Sequence, residues 1–220
     1  MKFITLVLYR VARRLFCARQ SSLEASLQSA YSLFCVKVRP YLPPHLIAAL
    51  LLAEDHRFSR HCGIDPVALC RAIWYLAVHR KIIGGSTLEQ QLARTLTGDK
   101  QRTIRRKMRE FFMAAVVEST VPKEDIPGLY LSVAYFGWRM NGIEEACQRL
   151  GVNLRLLTRR ESAELVARLK YPEPSSPSNQ RSDQISCRAK YIFAMMAANT
   201  TPSETGEQGV GNRETIPDFL

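Results

Sequence analysis

The amino-acid sequence predicts a mainly α-helical protein. Apolar residues recur at three- and four-residue steps through most of the 220 residues, and no stretch shows the sustained two-residue alternation of a half-buried strand. Hydrophobic residues make up 46% of the chain, as in a globular domain with a buried core. These observations favour one helical domain over residues 41–198, preceded by a segment of residues 1–40 and followed by a tail of residues 199–220.

The first element is a basic amphipathic helix. Residues 1–20 hold five basic residues and no acidic one. The arginines from Arg10 onward interrupt the apolar run too early for a membrane span. Such a helix suits an anionic membrane surface, and it suits packing on the domain equally well. At helical spacing it has one apolar face, made of Ile4, Val7, Leu8, Val11 and Leu15.

The central helices are predicted from the same periodicity. Pro43-Pro44 favours a helix start, because proline is tolerated in the first helical turn. Gly84-Gly85 interrupts the pattern, and Ser86 with Glu89 predicts a capping box at the start of the helix that follows. The six stretches with helical periodicity are 44–54, 66–78, 86–97, 101–118, 123–136 and 160–170.

The end of the chain is less regular. Residues 171–186 are rich in proline and serine and predict a loop. A last helix is expected over residues 186–198. Beyond it, the composition predicts a disordered tail.

Positive charge is concentrated along the chain. There are 31 Lys and Arg against 20 Asp and Glu, and residues 71–110 alone carry ten basic and three acidic residues. Such a block indicates a polyanionic partner, either nucleic acid, anionic lipid or a phosphorylated substrate, or else a solvated helix face. The six cysteines form no C-x-x-C pair, so they predict free thiols and no metal site.

A first candidate cluster follows the apolar helix of residues 44–54. Glu54 and Asp55 come at its end, where an apolar wall can raise the pKa of a carboxyl group toward that of a general base. Glu54, Phe58 and His61 are spaced to share one helical face. An exposed acidic helix end is the alternative.

A second cluster follows Gly84-Gly85. Thr87, Gln91 and Arg94 form a polar stripe beside Gln90. Amides bind hydroxyl groups and arginine binds anions, so the stripe suits a sugar-phosphate ligand. A solvent-facing polar side has the same pattern.

A third cluster lies in the basic residues 102–110. Helical spacing predicts a buried stripe of Ile104, Met108, Phe111 and Ala115. Lys107 and Glu110 then lie on its border, either as a site pair or as a surface salt bridge, and the arginines at 102, 105 and 109 lie on the outer side.

Taken in order, these clusters resemble the motifs of glycosyltransferase family 51, the peptidoglycan glycosyltransferases of class A penicillin-binding proteins and monofunctional transglycosylases. The similarity runs over about residues 42–196. The first motif is matched by residues 54–66, the second by 84–94 and the third by 106–110, and residues 123–137 and 141–144 are similar to the fourth motif and its continuation.

The resemblance implies a role for each matched residue. Glu54 would be the general base that deprotonates the acceptor hydroxyl, and Glu110 would be the second carboxylate. Arg94, Arg106 and Lys107 would bind the diphosphate leaving group. The remaining substrate-binding positions implied are Asp55, Phe58, His61, Thr87 and Gln91.

The resemblance also implies the fold and the reaction. The fold would be lysozyme-like, with a hydrophobic jaw, here residues 68–83, that dips into the membrane. The enzyme would polymerise lipid II, an undecaprenyl-diphosphate-linked disaccharide-peptide, into glycan strands with inversion at the anomeric carbon. No cofactor would be required, although a divalent cation such as Mg²⁺ stays open. The partners would be lipid II, the nascent strand, the membrane surface and other cell-wall synthesis proteins, with no nucleic acid, at the outer face of the cytoplasmic membrane.

Three departures from the family pattern leave an alternative open. Arg94 stands where the family has lysine, Ser132 stands where it has asparagine, and the sequence has no clear signal peptide or transmembrane anchor. The alternative is a catalytically weak or inactive relative that binds a lipid-linked cell-wall precursor or a synthesis partner.

Overall fold

The computed structural model of the protein describes residues 2–80, 85–98 and 103–199. Within these ranges the chain forms a helical domain with one two-stranded hairpin, which confirms the predicted mainly α class. No helix in the described ranges is both long and apolar enough to cross a membrane. The elements are α1 (Lys2–Leu15), α2 (Cys17–Lys37), α3 (Pro44–Glu54), α4 (Pro66–His79), α5 (Leu88–Thr97), α6 (Ile104–Thr120), α7 (Ile126–Val133), β1 (Tyr135–Gly137), β2 (Met140–Asn141), α8 (Ile143–Leu150), α9 (Arg159–Lys170) and α10 (Asn179–Ala198).

Helix α5 lies at the centre of the fold. It packs against α2, α6 and α7, while α3 packs against α7, α9 and α10. Fully buried leucines fill the space between these helices, among them Leu50 on α3 and Leu92 on α5. The end of α3 therefore meets the start of α5, and there the Leu88 N–H donates to the Asp55 carboxylate at 3.1 Å.

Helix α2 is a helix that the sequence analysis did not predict. It packs against α5, α6 and α7 and buries Leu23, Leu27 and Phe34. These positions have helical spacing, but apolar Leu33 and Val36 are exposed and blur the pattern in the sequence. Helix α2 thus packs directly on the helices of the predicted domain of residues 41–198.

Helix α1 packs on the domain. Ala12 is fully buried at its contact with α6, and the Tyr9 hydroxyl donates to Glu24 of α2 at 3.0 Å. Val7 and Leu15, which belong to the predicted apolar face, are exposed. The buried face is therefore rotated from the predicted one, because the contact with α6 favours the small side chain of Ala12.

The start of α5 differs from the predicted capping box. Thr87, not Ser86, caps the helix, with its hydroxyl accepting from the Gln90 N–H at 3.4 Å. Ser86 instead accepts a hydrogen bond from the Lys107 ammonium at 2.7 Å. Glu89 is fully buried against Lys123, so its side chain is not available to complete a capping box. Gly84 lies outside the described residues.

Two helix boundaries also differ from prediction. Helix α7 ends at Val133, not at 136, because the chain turns into the β1–β2 hairpin, and the Gly142 N–H donates to the Ala134 carbonyl at 2.8 Å. Helix α10 begins at Asn179, not at 186, because Ser178 caps it by accepting from the Arg181 N–H at 3.4 Å.

The predicted buried stripe of α6 is wrong at Met108, which is 50% exposed. The face turned to the core is centred about a third of a helical turn away, on Glu110, Met113, Ala114 and Val117. The sequence pattern predicted the wrong buried face for α6, because α1, α2 and α5 all pack on this helix and bury several of its sides.

The remaining predictions concern surfaces and termini. All six cysteines are free, as predicted. Trp74 and Val78 of α4 are exposed within the predicted jaw, whose residues 81–83 lie outside the described ranges. The predicted tail lies outside them from residue 200 onward.

Candidate active site

Glu54 is the last residue of α3, at the point where this apolar helix meets α5. Its side chain is 18% exposed. Burial raises the pKa of the Glu54 carboxyl above its ordinary value, and the nearby Arg188, Gln91, Lys170 and Arg94 oppose this by favouring the ionised form. The predicted rise in the pKa of this carboxyl group is therefore present, and its role as a general base stays a prediction.

Gln91 of α5 connects Glu54 to α7. Its amide nitrogen donates to Glu54 Oε2 at 3.4 Å, and its amide oxygen accepts from the Tyr130 hydroxyl at 3.0 Å. Burial, and then the charge of Glu54, raise the pKa of Tyr130, so this hydroxyl is protonated and acts as a donor. Since the hydroxyl is a donor, the oxygen of Gln91 must face it, and the amide nitrogen is left to face Glu54.

Arg188 of α10 is a site residue that the sequence analysis missed. Its Nη2 donates to the Ala53 carbonyl at 2.9 Å and lies 3.7 Å from Glu54 Oε1. Its side chain is only 13% exposed. A buried guanidinium is uncommon, but Arg188 lies more than a hundred residues after Glu54, so only the packing of α10 on α3 identifies it.

Asp55 and His61 are buried and hydrogen-bonded to each other. His61 Nε2 lies 3.0 Å from Asp55 Oδ1, and the other Asp55 oxygen accepts from the Leu88 N–H at 3.1 Å. The sequence analysis placed His61 on a helical face with Glu54, but α3 ends at Glu54, so His61 is held by a loop. The pair therefore fixes the loop after α3 against the start of α5.

Lys123 lies at the centre of a buried charge cluster. Its ammonium pairs with Glu89 and with Glu118, donates to the His61 carbonyl at 3.0 Å and lies 4.0 Å above the Phe58 ring. Burial alone would lower the pKa of Lys123, but the charge of Glu89 and the hydrogen bonds to both carboxylates raise it. Burial also raises the pKa of Glu89, against the opposing charge of Lys123.

The first turn of α5 holds the loop that contains Gly63. The Thr87 hydroxyl donates to the Gly63 carbonyl at 2.7 Å, and the Gln90 amide donates to it at 3.3 Å. Gly63 has a φ of +76°, and a Cβ there would lie 3.2 Å from the carbonyl oxygen of Ala114 in α6. Only glycine fits this backbone conformation without strain.

Glu110 and Lys107 lie next to each other on α6, with Glu110 buried and Lys107 partly exposed. Lys107 Nζ donates to Gln90 Oε1 at 2.7 Å and lies 3.4 Å from Glu110 Oε2. Burial lowers the pKa of Lys107, and Glu110 opposes this effect. Glu110 itself is 5% exposed, and Arg106 Nε lies 3.4 Å from its second oxygen. The burial of Glu110 argues against a fully exposed salt bridge, and the part of this pair in a substrate site stays a prediction.

Arg94 faces a cavity together with the cations of α6. The cavity has a volume of about 380 Å³ and is lined by residues of α2, α5 and α6, including Arg106 and Glu110. The positive charge of Arg94 contributes to lowering the pKa of Lys107 and of Glu54, so it lies close to both.

The residues predicted from the three clusters thus come together around the first turn of α5. Gln91 contacts Glu54, and Gln90 contacts the Lys107–Glu110 pair. Asp55, His61, Phe58 and Thr87 support the loops on either side. Ligand atoms of Asp55, His61 and Glu89 lie within 4.8 Å of one another, a group that suits a divalent cation, but Lys123 already supplies a positive charge to Glu89.

Comparison with known proteins gives one family. Residues 23–197 match the family model described as Transglycosylase. The chain is 34% identical over 177 residues to penicillin-binding protein 1A of Aquifex aeolicus, covering 80% of this chain and 24% of that protein. It is 31% identical over 193 residues to the biosynthetic peptidoglycan transglycosylase of Nitrosospira multiformis, covering 86% of this chain and 80% of that protein. It thus spans about a quarter of the Aquifex protein, and most of the Nitrosospira one.

Proposed function

This chain belongs to the transglycosylase family, and we propose from this membership and from its site that it is a peptidoglycan glycosyltransferase. Its substrate would be lipid II, in which a polyprenyl diphosphate carries a disaccharide-peptide. Its product would be a glycan strand lengthened by one disaccharide at each transfer.

In the proposed reaction, the 4-hydroxyl of the acceptor sugar attacks the anomeric carbon of the donor. A new glycosidic C–O bond forms as the bond from that carbon to the diphosphate breaks, with inversion. The acceptor proton moves to the Glu54 carboxylate, and the electron pair leaves with the polyprenyl diphosphate. A base must be ionised at the moment of attack, and Arg188 and Gln91 favour the ionised form of Glu54.

The cations of α5 and α6 would stabilise the leaving group. Negative charge grows on the diphosphate as its bond to carbon breaks, so Arg94, Arg106 and Lys107 would bind it more tightly in the transition state than in the ground state. Glu110 would orient the substrate and hold Lys107, from which it lies 3.4 Å.

The supporting positions would act through the loops. We propose that Asp55, Phe58, His61 and Thr87 shape the substrate site by holding the loop after α3, since their hydrogen bonds and ring contacts join that loop to α5 and Lys123. Gln91 would orient Glu54 directly.

One observation carries the proposal more than any other. Glu54 combines burial, which raises its pKa, with three groups that hold it in place: Gln91 at 3.4 Å, Arg188 at 3.7 Å and the end of α3 itself. A carboxylate on the open surface would have neither this burial nor these fixed partners.

The proposal is tested by polymerisation of labelled lipid II in detergent. The wild type should form polymer, and Glu54→Gln should form none, because the amide cannot accept the proton. Glu110→Gln should slow the reaction at least about 100-fold, the range of a lost acid–base or electrostatic group. Thermal unfolding of each variant separates loss of chemistry from loss of fold. A folded wild type that forms no polymer would refute the proposal, and would turn attention to Arg94→Lys and Ser132→Asn.

We also propose that the reaction needs no cofactor. In the Asp55–His61–Glu89 group, Lys123 pairs with Glu89 in the place where a cation would be needed. Chelation with EDTA should leave the rate unchanged. A rate that falls with EDTA and returns with Mg²⁺ would assign the dependence to a divalent cation.

The proposed setting is the outer face of the cytoplasmic membrane. The substrate carries a polyprenyl chain, so the enzyme must work at a membrane surface, and the exposed Trp74 and Val78 of α4 suit insertion into one. The predicted domain of residues 41–198 would work together with α1 and α2, which pack on it, and the basic residues of these two helices would add affinity for anionic lipid. The nascent strand and other cell-wall synthesis proteins would be its partners.

A further inference from the structure

The cavity between α2, α5 and α6 has a wall that no matched motif supplies. The first two turns of α2 contribute Arg19 and Ser22, from a segment that precedes the motifs. Helix α6 contributes Arg109, which the sequence pattern placed on the outer side of that helix. The structure brings both arginines to the cavity that Arg94 also lines.

The charge of this cavity is strongly unbalanced. Its lining includes four arginines, at 19, 94, 106 and 109, and Glu110 is the one acidic residue among the described residues that line it. Glu110 already lies within 3.4 Å of both Arg106 and Lys107. A ligand with two or more negative charges would therefore be favoured, and guanidinium groups match phosphate oxygens in a bidentate geometry.

Part of the remaining lining is apolar. Leu96 of α5 and Met113 of α6 face the same space as the arginines. A volume of about 380 Å³ exceeds what a diphosphate group alone would fill, and it lies within the usual size of a small-molecule site. The ligand that fits is a diphosphate joined directly to an apolar chain.

We propose that Arg19 and Arg109 bind the diphosphate of the lipid-linked donor, so that α2 forms one wall of the donor site. This inference rests on the proposed function, since it assigns further residues to the same site. The packing of α2 on α5 and α6 brings Arg19 into the same cavity lining as Arg94 and Arg106.

The test uses matched charge reversals in the full-length chain. Arg19→Glu is paired with Arg13→Glu, an exposed arginine of α1 outside the cavity, and Arg109→Glu is paired with Arg105→Glu, an exposed arginine of α6 outside it. Each pair changes the net charge equally, so general attraction of anions is controlled. Binding of farnesyl diphosphate is measured by calorimetry at one ionic strength, and KM and kcat are measured with lipid II.

Arg19→Glu and Arg109→Glu should each weaken farnesyl diphosphate binding at least about 10-fold and raise KM, as expected for a lost charge-assisted hydrogen bond. Arg13→Glu and Arg105→Glu should stay within about 2-fold of the wild type, because exposed charges outside a site contribute little. Arg19→Gln and Arg109→Gln provide milder variants if a reversal unfolds the chain.

The inference would be overturned if Arg19→Glu bound farnesyl diphosphate as well as Arg13→Glu, and Arg109→Glu as well as Arg105→Glu. This holds even if the wild type polymerises lipid II. Equal affinity for inorganic diphosphate and farnesyl diphosphate would also overturn it, because the apolar wall would then have no role. If the wild type forms no polymer but Arg19→Glu and Arg109→Glu lose farnesyl diphosphate, the proposed function fails and the diphosphate site stands.

Discussion

Replacing Arg188 with glutamine should move the acid limb of the pH–rate profile to higher pH. Arg188 lies 3.7 Å from Glu54 Oε1, and its charge lowers the pKa of that carboxyl against the effect of burial. Glu54 must be ionised to accept a proton. Without the guanidinium its pKa rises further, so a higher pH is needed for the same fraction of active enzyme.

The size of the shift follows from the distance. Two unit charges 3.7 Å apart interact by about 1 kcal/mol in a medium as polar as water and by about 4 kcal/mol at an effective dielectric constant of about 20. The side chains are 13% and 18% exposed, and water would enter the space left by the guanidinium. The smaller interaction energy, about 1 kcal/mol, is therefore the better estimate of the effect of Arg188. It corresponds to a rise of about 1 unit in the pKa of Glu54 when Arg188 is replaced.

The assay is kcat/KM for lipid II between about pH 5 and pH 9, since this ratio reports the free enzyme. Arg188→Lys should restore part of the wild-type profile, because it keeps the charge. Lys190→Gln, an exposed site on the same helix, removes a positive charge and should leave the profile in place. An acid limb in Arg188→Gln that coincides with that of Lys190→Gln would refute the electrostatic role of Arg188.

Three further predictions concern side chains and a glycine in the loops and helices around Glu54. Lys123→Met should lower the free energy of unfolding by about 3–5 kcal/mol in urea titrations, because it leaves the fully buried Glu89 without a cation. The loss of stability should be larger at pH 8 than at pH 5, because the raised pKa of Glu89 lets the folded state take up a proton as pH falls. Adding Glu89→Leu to Lys123→Met should recover most of the lost stability. Tyr130→Phe should lower kcat about 10-fold with little change in KM, because the Gln91 amide loses the hydroxyl that orients it, and a wild-type kcat would contradict this. Gly63→Ala should lower stability by at least about 1 kcal/mol more than Gly98→Ala, since both have positive φ but only Gly63 meets another helix; equal losses in thermal unfolding would disprove the contact argument.

Helices were predicted well where their own sequence contains a start signal, such as a proline or a capping box, and a regular apolar pattern. The bounds of α3 agree with the predicted 44–54, because Pro44 starts the helix and an apolar run fills it. Helix α9 likewise begins within one residue of prediction, where Thr158 and Glu161 form a capping box. By contrast, α2 was not predicted, because exposed apolar residues such as Leu33 and Val36 lie between and beyond its buried positions Leu23, Leu27 and Phe34.

The candidate site was predictable wherever its residues lie close in sequence. Glu54 with Asp55, Gln90 with Gln91, and Lys107 with Glu110 all stand in short motifs. Arg188 and Arg19 could not be found in this way, because each reaches the site from a helix far from the motifs in sequence. The side of α6 that meets the core was also unpredictable, since three helices bury it at once.

The adjacency of Gln90 and Gln91 has a structural cause. Consecutive residues on a helix point about 100° apart, so two neighbouring amides can reach two different elements. Gln91 reaches Glu54 at the end of α3, while Gln90 reaches Lys107 on α6. The first turn of α5 thereby holds the proposed base and the proposed diphosphate-binding lysine in one rigid unit.

Each of the four buried polar side chains at the start of α5 has at least one polar partner. Thr87, Glu89, Gln90 and Gln91 are each at most 8% exposed, and a buried polar group without a partner costs about 1–3 kcal/mol. Their partners come from five places in the fold: the Gly63 loop, Lys123, α6, α3 and α7. A substitution in any one of these elements therefore disturbs the turn that carries both halves of the site. We accordingly expect paired substitutions on α3 and α6 to be non-additive in their effect on kcat, although they lie on different helices.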